Sequence, residues 1–159
     1  RKPTENGESK LGSRFHGCLI KLTSGIKIII THIKIEPVTF SFFFLLIFIV
    51  KSLLFKTENF FILCLVAGDK KASLNKIKKT LNIKDVSMAS ADNVKKITGY
   101  TIGGVSPIGH LNKIDIFIDN SLERFTSLFA AAGHPNCVFK ISFTNLQKIT
   151  NGSIKDITE

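Results

Sequence analysis

The sequence predicts a mixed α/β domain in which short strands and short helices alternate along the chain. Runs of β-branched and aromatic residues are separated by turn residues, and segments with helical spacing of apolar residues follow a capping serine or threonine. The 159 residues fit one domain of ordinary size, and the hydrophobic fraction of 44% and charged fraction of 21% are close to globular averages. Neither global disorder nor a second catalytic domain is expected.

The first strands are predicted as a hairpin and the first helix follows them. Residues 52–56 and 60–66 are β-rich runs that three residues connect. A helix is predicted over 74–81 because its apolar residues recur at spacings of three and four. Ser73 stands at the position of its N-cap, where a hydroxyl can accept a main-chain N–H.

A second helix is predicted over 91–98. Ser90 precedes it as a cap, and Gly99 follows it where a left-handed residue commonly ends a helix. Residues 100–113 contain three glycines and a proline and are expected to form a loop. Similar signals predict the remaining elements: strands over 86–89, 114–119, 128–132 and 137–141, a helical turn opening at Ser121, a helix capped by Thr144 and ended by Gly152, and a last strand over 154–158.

The chain is strongly basic. It contains 22 Lys and Arg against 12 Asp and Glu, a formal net charge of +10. Residues 49–159 alone contain fifteen basic against nine acidic residues. This balance favours a polyanionic partner, either nucleic acid or an anionic membrane surface.

The cysteines indicate a reducing compartment. Cys18, Cys64 and Cys137 are odd in number and show no CxxC spacing, so neither a disulfide framework nor a zinc site is expected. Cys64 lies in an apolar run and is expected to be a buried core residue.

Residues 1–48 differ in character from residues 49–159. They are polar at first and then rich in Ile, Lys and Phe without a helical or alternating period. The apolar run over 38–50 has thirteen residues, whereas a membrane-crossing helix needs about 20, so stable membrane insertion is not expected. Three interpretations stay open: a buried strand or helix, an interfacial anchor, and translated AT-rich spacer DNA. Residues 26–36, IKIIITHIKIE, offer a strand.

Two glycine-containing segments are candidates for a binding site. In GGVSPIGH, residues 103–110, glycines let the backbone approach a ligand closely and Pro107 stiffens the turn. Such a loop can hold an ester carbonyl or a phosphate, but it lacks the dinucleotide and P-loop patterns, and a purely structural turn is the alternative. In AAAGHPN, residues 130–136, Pro135 limits the conformations of the preceding His134.

Six sequence blocks between residues 49 and 159 follow one another without a large insertion: IVKSLLFK, LVAGDKKASLNKIKKTL, MASADNVKKITGYTIGGVSPIGH, IFIDNSL, AAAGHPNCVFKIS and LQKITNGSIKDI. In these blocks the chain resembles the YbaK/EbsC family, the free-standing relatives of the editing domain inserted in bacterial prolyl-tRNA synthetases. The resemblance implies a compact α/β fold with a strongly bent, barrel-like mixed sheet flanked by short helices. It also implies a cytoplasmic aminoacyl-tRNA deacylase that hydrolyses the ester bond of a mischarged tRNA.

The resemblance assigns site residues within this chain. It implies catalytic roles for Lys51 and Gly104. The aminoacyl pocket would be lined by Gly103, Pro107 and Gly109 from the first loop and by Gly133, His134 and Pro135 from the second.

Further residues are assigned with an alternative for each. Asp119 would belong to the substrate site, although its position also suits a helix N-cap before Ser121. Lys70, Lys71 and Lys78 would contact tRNA phosphates, although a lysine-rich helix face is usually only solvated.

The resemblance implies hydrolysis without a covalent intermediate, a cofactor or a metal. Lys51 would stabilise negative charge on the substrate, and main-chain N–H groups of the loop would orient the carbonyl or the attacking water. The terminal ribose hydroxyl of the substrate would help to activate that water, while His110 and His134 are further candidates as proton carriers. The partners would be a mischarged tRNA, carrying a small amino acid on tRNA-Pro or a related tRNA, and an aminoacyl-tRNA synthetase.

One family feature is not found. Relatives usually have a Thr-Ala-Glu-rich helix start before the lysine that helps to cover the pocket, and residues 1–48 contain no such block. Two alternative functions therefore stay open. One is a module that binds aminoacyl-tRNA or another RNA without hydrolysing it, and the other is a membrane-associated basic domain in which residues 38–50 insert at an interface.

Overall fold

A mixed sheet of eight strands forms the centre of the fold. The computed structural model describes residues 30–32 and 47–159, so the predictions for Cys18 and for most of the apolar run over 38–50 lie outside the described residues. The strands are β1 (Ile30–His32), β2 (Ile49–Thr57), β3 (Phe61–Ala67), β4 (Val86–Met88), β5 (Asp115–Asp119), β6 (Leu128–His134), β7 (Cys137–Ile141) and β8 (Ser153–Lys155). The described helices are α1 (Leu74–Leu81), α2 (Ala91–Thr98) and α3 (Phe143–Thr150), with a 3₁₀ helix over Asn120–Arg124.

Strand β2 has three partners. It pairs antiparallel with β3 along most of its length. On its other edge it runs parallel to β6 at Ile49 and Val50 and antiparallel to β4 over residues 55–57. The order is β1-β7-β6-β2-β3-β5-β8, with β3–β5 and β5–β8 parallel. The predicted mixed α/β class is confirmed, and residues 26–36 do supply a strand, β1, which pairs with β7.

The predicted hairpin and helix α2 are confirmed with their local signals. Strands β2 and β3 are joined by a tight turn in which the Thr57 N–H donates to the Phe60 carbonyl at 2.9 Å. Helix α2 begins after Ser90, whose Oγ accepts the Asn93 N–H, and ends at Gly99 in the left-handed conformation with φ 83°. These contacts are local, which is why the sequence predicts them.

The ends of the other helices differ from the prediction in detail. Helix α1 spans the predicted residues, but the Ser73 side chain makes no capping hydrogen bond. The main-chain N–H of Ser73 donates to the Ile157 carbonyl at 2.8 Å. Helix α3 is capped by Ser142 instead of Thr144, because Ser142 directly follows β7 and its Oγ accepts the Asn145 N–H at 3.3 Å. Its C-cap is Asn151, with φ 51°, one residue before the predicted Gly152.

The last strand is shorter than predicted. Strand β8 ends at Lys155, and Thr158 forms an isolated bridge with Ala72. The Ile157 N–H donates to the Asp119 carboxylate at 3.0 Å instead of to a neighbouring strand. A buried side chain therefore takes over the hydrogen bond that would have continued the ladder.

Apolar side chains fill both faces of the sheet. Leu54 and Phe55 are adjacent in β2 and point to opposite faces, as strand geometry requires. Helices α2 and α3 cover the Leu54 face with Val94 and Leu146, and α1 covers the Phe55 face with Ile77. Each fully buried side chain of this size contributes roughly 1.5–3 kcal/mol, so β2 is fixed from both sides.

The buried cysteine matches its prediction. Cys64 is fully buried in β3. Burial, together with the negative charge of Asp119, raises the pKa of its thiol to about 12. The thiolate is therefore disfavoured at neutral pH, and Cys64 acts as a small core residue.

The described end of the apolar run belongs to the sheet. Ile49 and Val50 lie in β2, and the Phe48 ring packs against that of Phe125 with 5.1 Å between centroids. These contacts favour the interpretation of a buried strand for this end of the run. Within the described residues, no helix combines the length and apolar character needed to span a bilayer.

Candidate functional site

A cavity of about 310 Å³ opens at an edge of β2. Residues 51–54 lie between the stretch paired with β6 and the stretch paired with β4, so the described strands leave a gap there. The Leu54 carbonyl is satisfied by the Ala89 N–H at 2.9 Å. Successive residues of a strand direct their main-chain N–H and C=O groups to opposite edges, so residues two apart share an edge. The main-chain groups of Ser52 therefore face the same edge as those of Leu54, which is the edge with the gap. The remaining walls are the end of β4, helix α2, the start of the 100–113 loop and the β6–β7 hairpin.

The cavity wall is mostly apolar. Among the described residues that line it, Lys51 and Ser52 contribute the polar side chains. The Ser52 Oγ is buried and has no hydrogen-bond partner in the described part of the chain. Met88 and Ile102 form an exposed apolar rim, with 57% and 63% of their surface accessible. Such a site places a lysine and main-chain groups beside an apolar pocket.

Lys51 borders the cavity and is partly buried. Its Nζ donates to the main-chain carbonyl of Lys70, in the turn that follows β3. Burial lowers the pKa of Lys51, the negative charge of Asp69 acts in the opposite direction, and the positive charge of Lys71 lowers the pKa further. The ammonium is thus held by a main-chain acceptor in the turn after β3.

Gly103 and Gly104 form a second wall. Gly103 lines the cavity with φ 84°, a conformation that favours glycine. A Cβ on Gly104 would lie 3.0 Å from the main chain of His134, so the loop and the hairpin touch through their backbones. The Gly104 N–H donates to the Thr101 carbonyl at 3.0 Å and is occupied by this turn. Gly103 is therefore the better placed of the two to present its main chain to a ligand.

The β6–β7 hairpin brings Pro135 to the cavity. Gly133, with φ 90°, lies at a register shift between Ala131 and His134 that redirects the hairpin tip. The His134 side chain is exposed, and its Nδ1 accepts the Asn136 N–H at 3.1 Å. Pro135 and Ala131 line the cavity, whereas Gly133 and His134 are not among its described lining residues.

The second half of the glycine loop lies elsewhere. Pro107 and Gly109 line a separate, open hollow and do not border the cavity beside Lys51. A Cβ on Gly109 would lie 2.7 Å from the hydroxyl oxygen of Tyr100, which donates to the Ile108 carbonyl at 2.9 Å. The expected placement of Pro107 and Gly109 in the aminoacyl pocket is therefore corrected: they shape the loop, because the chain turns inward at residues 104–108, which are buried.

His110 lines the same hollow as Pro107 and Gly109 and is not among the described lining residues of the cavity. Its Nε2 lies 2.8 Å from the Ser106 carbonyl oxygen. Burial lowers the pKa of His110, and the hydrogen bond to Ser106 only partly opposes this. The unfolded chain, with a His pKa near 6.5, therefore binds this proton more readily than the folded protein.

Stability is expected to fall as the pH drops through about 6.5, because protonation of His110 favours the unfolded chain. A single proton limits this slope to about 1.4 kcal/mol per pH unit. Urea midpoints at pH 8 and pH 5.5 measure the effect. In His110→Gln, which keeps a donor for Ser106 but does not titrate, the loss between the two pH values should be smaller than in the wild type. Equal losses of stability in the two proteins would contradict the assignment of this pH dependence to His110.

Asp119 lies in the core instead of the cavity. Its carboxylate is fully buried and accepts hydrogen bonds from Ser121 N–H at 3.0 Å, Ile157 N–H at 3.0 Å, Thr158 Oγ1 at 3.2 Å and the Ser121 hydroxyl. The substrate-binding role expected for Asp119 is thus not supported, because every contact is to a neighbouring turn or to the C-terminal segment. The alternative is confirmed: Asp119, not Ser121, caps the 3₁₀ helix.

The three lysines assigned to tRNA lie in different surroundings. Lys70 and Lys71 belong to the segment next to Lys51, and the charge of Lys71 is felt at the Lys51 ammonium. Lys78 lies on α1 and forms a surface ion pair with Asp85 at 3.7 Å. Of the three, Lys70 and Lys71 are thus placed beside Lys51, and neither is among the described lining residues of the cavity.

Several lining residues were not singled out from the sequence. Ser52, Met88, Ala89 and Ile102 look like ordinary strand and loop residues, and their role depends on the gap between β6 and β4. One signal was available: Ser52 is adjacent to Lys51 in the same strand. Within residues 30–32 and 47–159, no group of three His, Cys, Asp or Glu is arranged to hold a metal ion.

The chain matches one protein family and is similar to several curated proteins. Residues 46–149 match the family described as aminoacyl-tRNA editing domain. The chain is 33% identical over 114 residues to a proline–tRNA ligase of Caldicellulosiruptor bescii, covering 66% of this chain and 20% of the ligase. It is 35% identical over 103 residues to the uncharacterised protein YwhH of Bacillus subtilis, covering 64% of this chain and 65% of YwhH. The chain thus spans less than two thirds of the length of these relatives.

A solved structure shares the fold. The crystal structure of a candidate trans-editing enzyme for prolyl tRNA synthetase superposes with a TM-score of 0.69 and 31% identity, over 72% of each chain. The family match includes β2 with Lys51, the 100–113 loop and the β6–β7 hairpin, which are the segments that build the cavity. On this match, the chain belongs to the aminoacyl-tRNA editing domain family.

Proposed function

We propose that this protein hydrolyses the ester bond of a mischarged aminoacyl-tRNA. The observation that supports this most directly is that Lys51, Gly103 and Pro135, from three separate segments, border one cavity of about 310 Å³. The family match and the solved relative described for trans-editing point the same way. Residues 49–159 would form the deacylase domain, acting in the cytoplasm where tRNA is charged.

The chemistry would depend on charge stabilisation and positioning. The aminoacyl group enters the cavity, water attacks the ester carbonyl, and the bond to the ribose oxygen breaks to release the amino acid. The protonated Lys51 stabilises the negative charge that develops on the substrate, and the main chain at Gly103 orients the acyl group. The described lining contains no His, Cys or carboxylate side chain, so a substrate ribose hydroxyl is the proposed aid to the attacking water.

The apolar wall suits a small side chain. Val50, Leu54, Ala89 and Val94 form part of it, and Ser52 is the neutral polar residue among the described lining residues. A difference of one methylene in such a pocket changes binding by only about 1–3 kcal/mol. We propose that size limits the substrate to a small amino acid on tRNA-Pro or a related tRNA.

The basic segment beside the cavity would receive the tRNA. Lys70 and Lys71 adjoin Lys51, so phosphates near the 3′ end can approach them while the aminoacyl group occupies the cavity. Lys78, paired with Asp85, would contribute less. An aminoacyl-tRNA synthetase is a further proposed partner.

Hydrolysis of tRNA-Pro charged with Ala, Ser, Thr or Cys tests the proposal. We expect wild-type protein to release at least one of these amino acids faster than it releases proline. Binding of the RNA without turnover on any of them would instead identify a binding module. Flotation with anionic liposomes tests membrane association, and protein that stays at the bottom of the gradient removes that alternative.

Gly104→Ala should weaken both the fold and the activity. The new Cβ would lie 3.0 Å from the His134 main chain, so the loop and the hairpin must separate by a few tenths of an ångström. We expect a loss of about 1–3 kcal/mol in the free energy of unfolding and a raised KM. Urea unfolding and deacylation kinetics measure the two effects.

Gly152→Ala is the matched control. Its Cβ would lie 2.8 Å from the Ile118 side chain, away from the cavity lining. This variant should lose stability but keep the KM of the wild type for its folded fraction. Equal KM values in both variants would show that Gly104 does not shape the site.

A further inference from the structure

The turn that follows β3 holds the Lys51 side chain. Lys51 pairs with Val66 near the end of β3, and its Nζ reaches beyond the strand to the Lys70 carbonyl. The Lys70 N–H donates to the Ala67 carbonyl at 3.0 Å and closes the turn over residues 67–70. The position of the ammonium therefore depends on the position of this turn.

The turn over residues 67–70 is also bound to the 3₁₀ helix. The Asp69 carboxylate accepts a hydrogen bond from the Arg124 guanidinium, and the two groups also form an ion pair. The Arg124 guanidinium lies 4.4 Å from the centroid of the Phe125 ring, and that ring packs on Phe48, directly before β2. Arg124 is thus fixed by a carboxylate and by an aromatic face, and it links two segments of the fold beside Lys51.

We propose that Asp69 and Arg124 are positioning residues that fix the 67–70 turn, so that the Lys70 carbonyl keeps the Lys51 ammonium at the cavity wall. This inference rests on the proposed function for its catalytic consequence, but the positioning itself concerns the free protein. Neither residue lines the cavity, so neither is expected to touch the acyl group.

Two substitutions should act on Lys51 with opposite signs. The charged groups that act on its ammonium are Asp69 and Lys71, and Arg124 stands next to Asp69. Asp69→Asn removes the negative charge and keeps a residue suited to a turn, so it should lower the pKa of Lys51. Arg124→Gln removes a positive charge and leaves Asp69 unneutralised, so it should raise that pKa. These shifts report the charges beside the ammonium, whereas release of the 67–70 turn is reported by the Lys70 N–H, which donates to the Ala67 carbonyl and should exchange faster in both variants.

Titration of Lys51 and amide exchange at Lys70, both in the full chain, test the electrostatic coupling and the positioning without any substrate. Lysine side-chain NMR follows the Lys51 signal, identified by its loss in Lys51→Met, from neutral to alkaline pH. We expect the midpoint to move to lower pH in Asp69→Asn, to higher pH in Arg124→Gln, and to return to the wild-type value in Arg124→Lys. Amide exchange at Lys70 should be faster in both Asp69→Asn and Arg124→Gln than in the wild type, and wild-type exchange in both variants would overturn the proposal.

Deacylation kinetics then test the catalytic consequence. The basic limb of the kcat profile should shift in the same directions as the NMR midpoints. At neutral pH, kcat should fall about two- to five-fold in Asp69→Asn with KM unchanged, the size expected for an exposed ion pair. Faster Lys70 amide exchange in both variants without any wild-type deacylation would sink the proposed function and leave the positioning intact. Normal deacylation with wild-type Lys70 exchange in both variants would do the reverse.

Discussion

Lys51→Met is expected to lower kcat for mischarged tRNA by about 10²–10³-fold, the loss seen when one donor to a developing oxyanion is removed. Methionine keeps a long unbranched side chain in the cavity wall but cannot donate to the substrate or to the Lys70 carbonyl. Because only the protonated lysine stabilises negative charge, wild-type activity should also fall as the pH rises through the lowered pKa of Lys51. Single-turnover deacylation at several pH values measures both effects.

Lys56→Met is the matched control. Lys56 lies in the same strand, is exposed and does not border the cavity. This variant removes the same charge from the same strand and should retain the kcat of the wild type. If both variants lost activity equally, general loss of basic charge would explain the effect and Lys51 would have no special role.

Asp119→Ala is expected to lower the free energy of unfolding by about 3 kcal/mol or more. The change removes four accepted hydrogen bonds and leaves the buried Ile157 N–H without its acceptor. Each buried donor left unsatisfied costs about 1–3 kcal/mol, and the lost cap of the 3₁₀ helix adds about 1 kcal/mol. Urea unfolding measures the total, and faster amide exchange at Ile157 would show that the C-terminal segment is released first.

Asp115→Ala provides the comparison within the same strand. Asp115 opens β5 and is exposed, so its replacement should change stability by no more than about 0.5 kcal/mol. The stability loss of Asp119→Asn should lie between those of Asp119→Ala and Asp115→Ala. Its amide oxygen can still accept from the Ile157 N–H, while its NH₂ group faces other donors. An unfolding midpoint of Asp119→Ala equal to that of Asp115→Ala would show that the buried carboxylate is dispensable.

The local elements were predictable from the sequence because their signals are local. Ser90 and Gly99 bracket α2 with their own hydrogen bonds and backbone conformation. The sequence predicts Thr144 as the cap of α3, whereas the structure has Ser142 in that position. Two hydroxyl residues lie close together there, and only the end of β7 decides between them. The shortened β8 depends on a carboxylate 38 residues away, which no local pattern contains.

The candidate site was predictable only in part. Lys51, Gly103 and Pro135 do border one cavity, as the resemblance implied, whereas Pro107 and Asp119 lie outside its lining. Residue types indicate what a segment can do, but the distance between two segments is fixed by strand pairing across the whole chain. The contact between Lys51 and the Lys70 carbonyl is of this kind, since it depends on the register of β2 against β3.

The gap in the β2 edge also bears on how such a domain can change during evolution. The rim residues Met88 and Ile102 are exposed, and Ile102 lies in a loop outside the strand ladders. Exchanges on this rim should alter acyl-group preference at little expense in stability, because they leave the packed interior untouched. Selection can therefore retune substrate choice there while the scaffold that carries Lys51 stays the same.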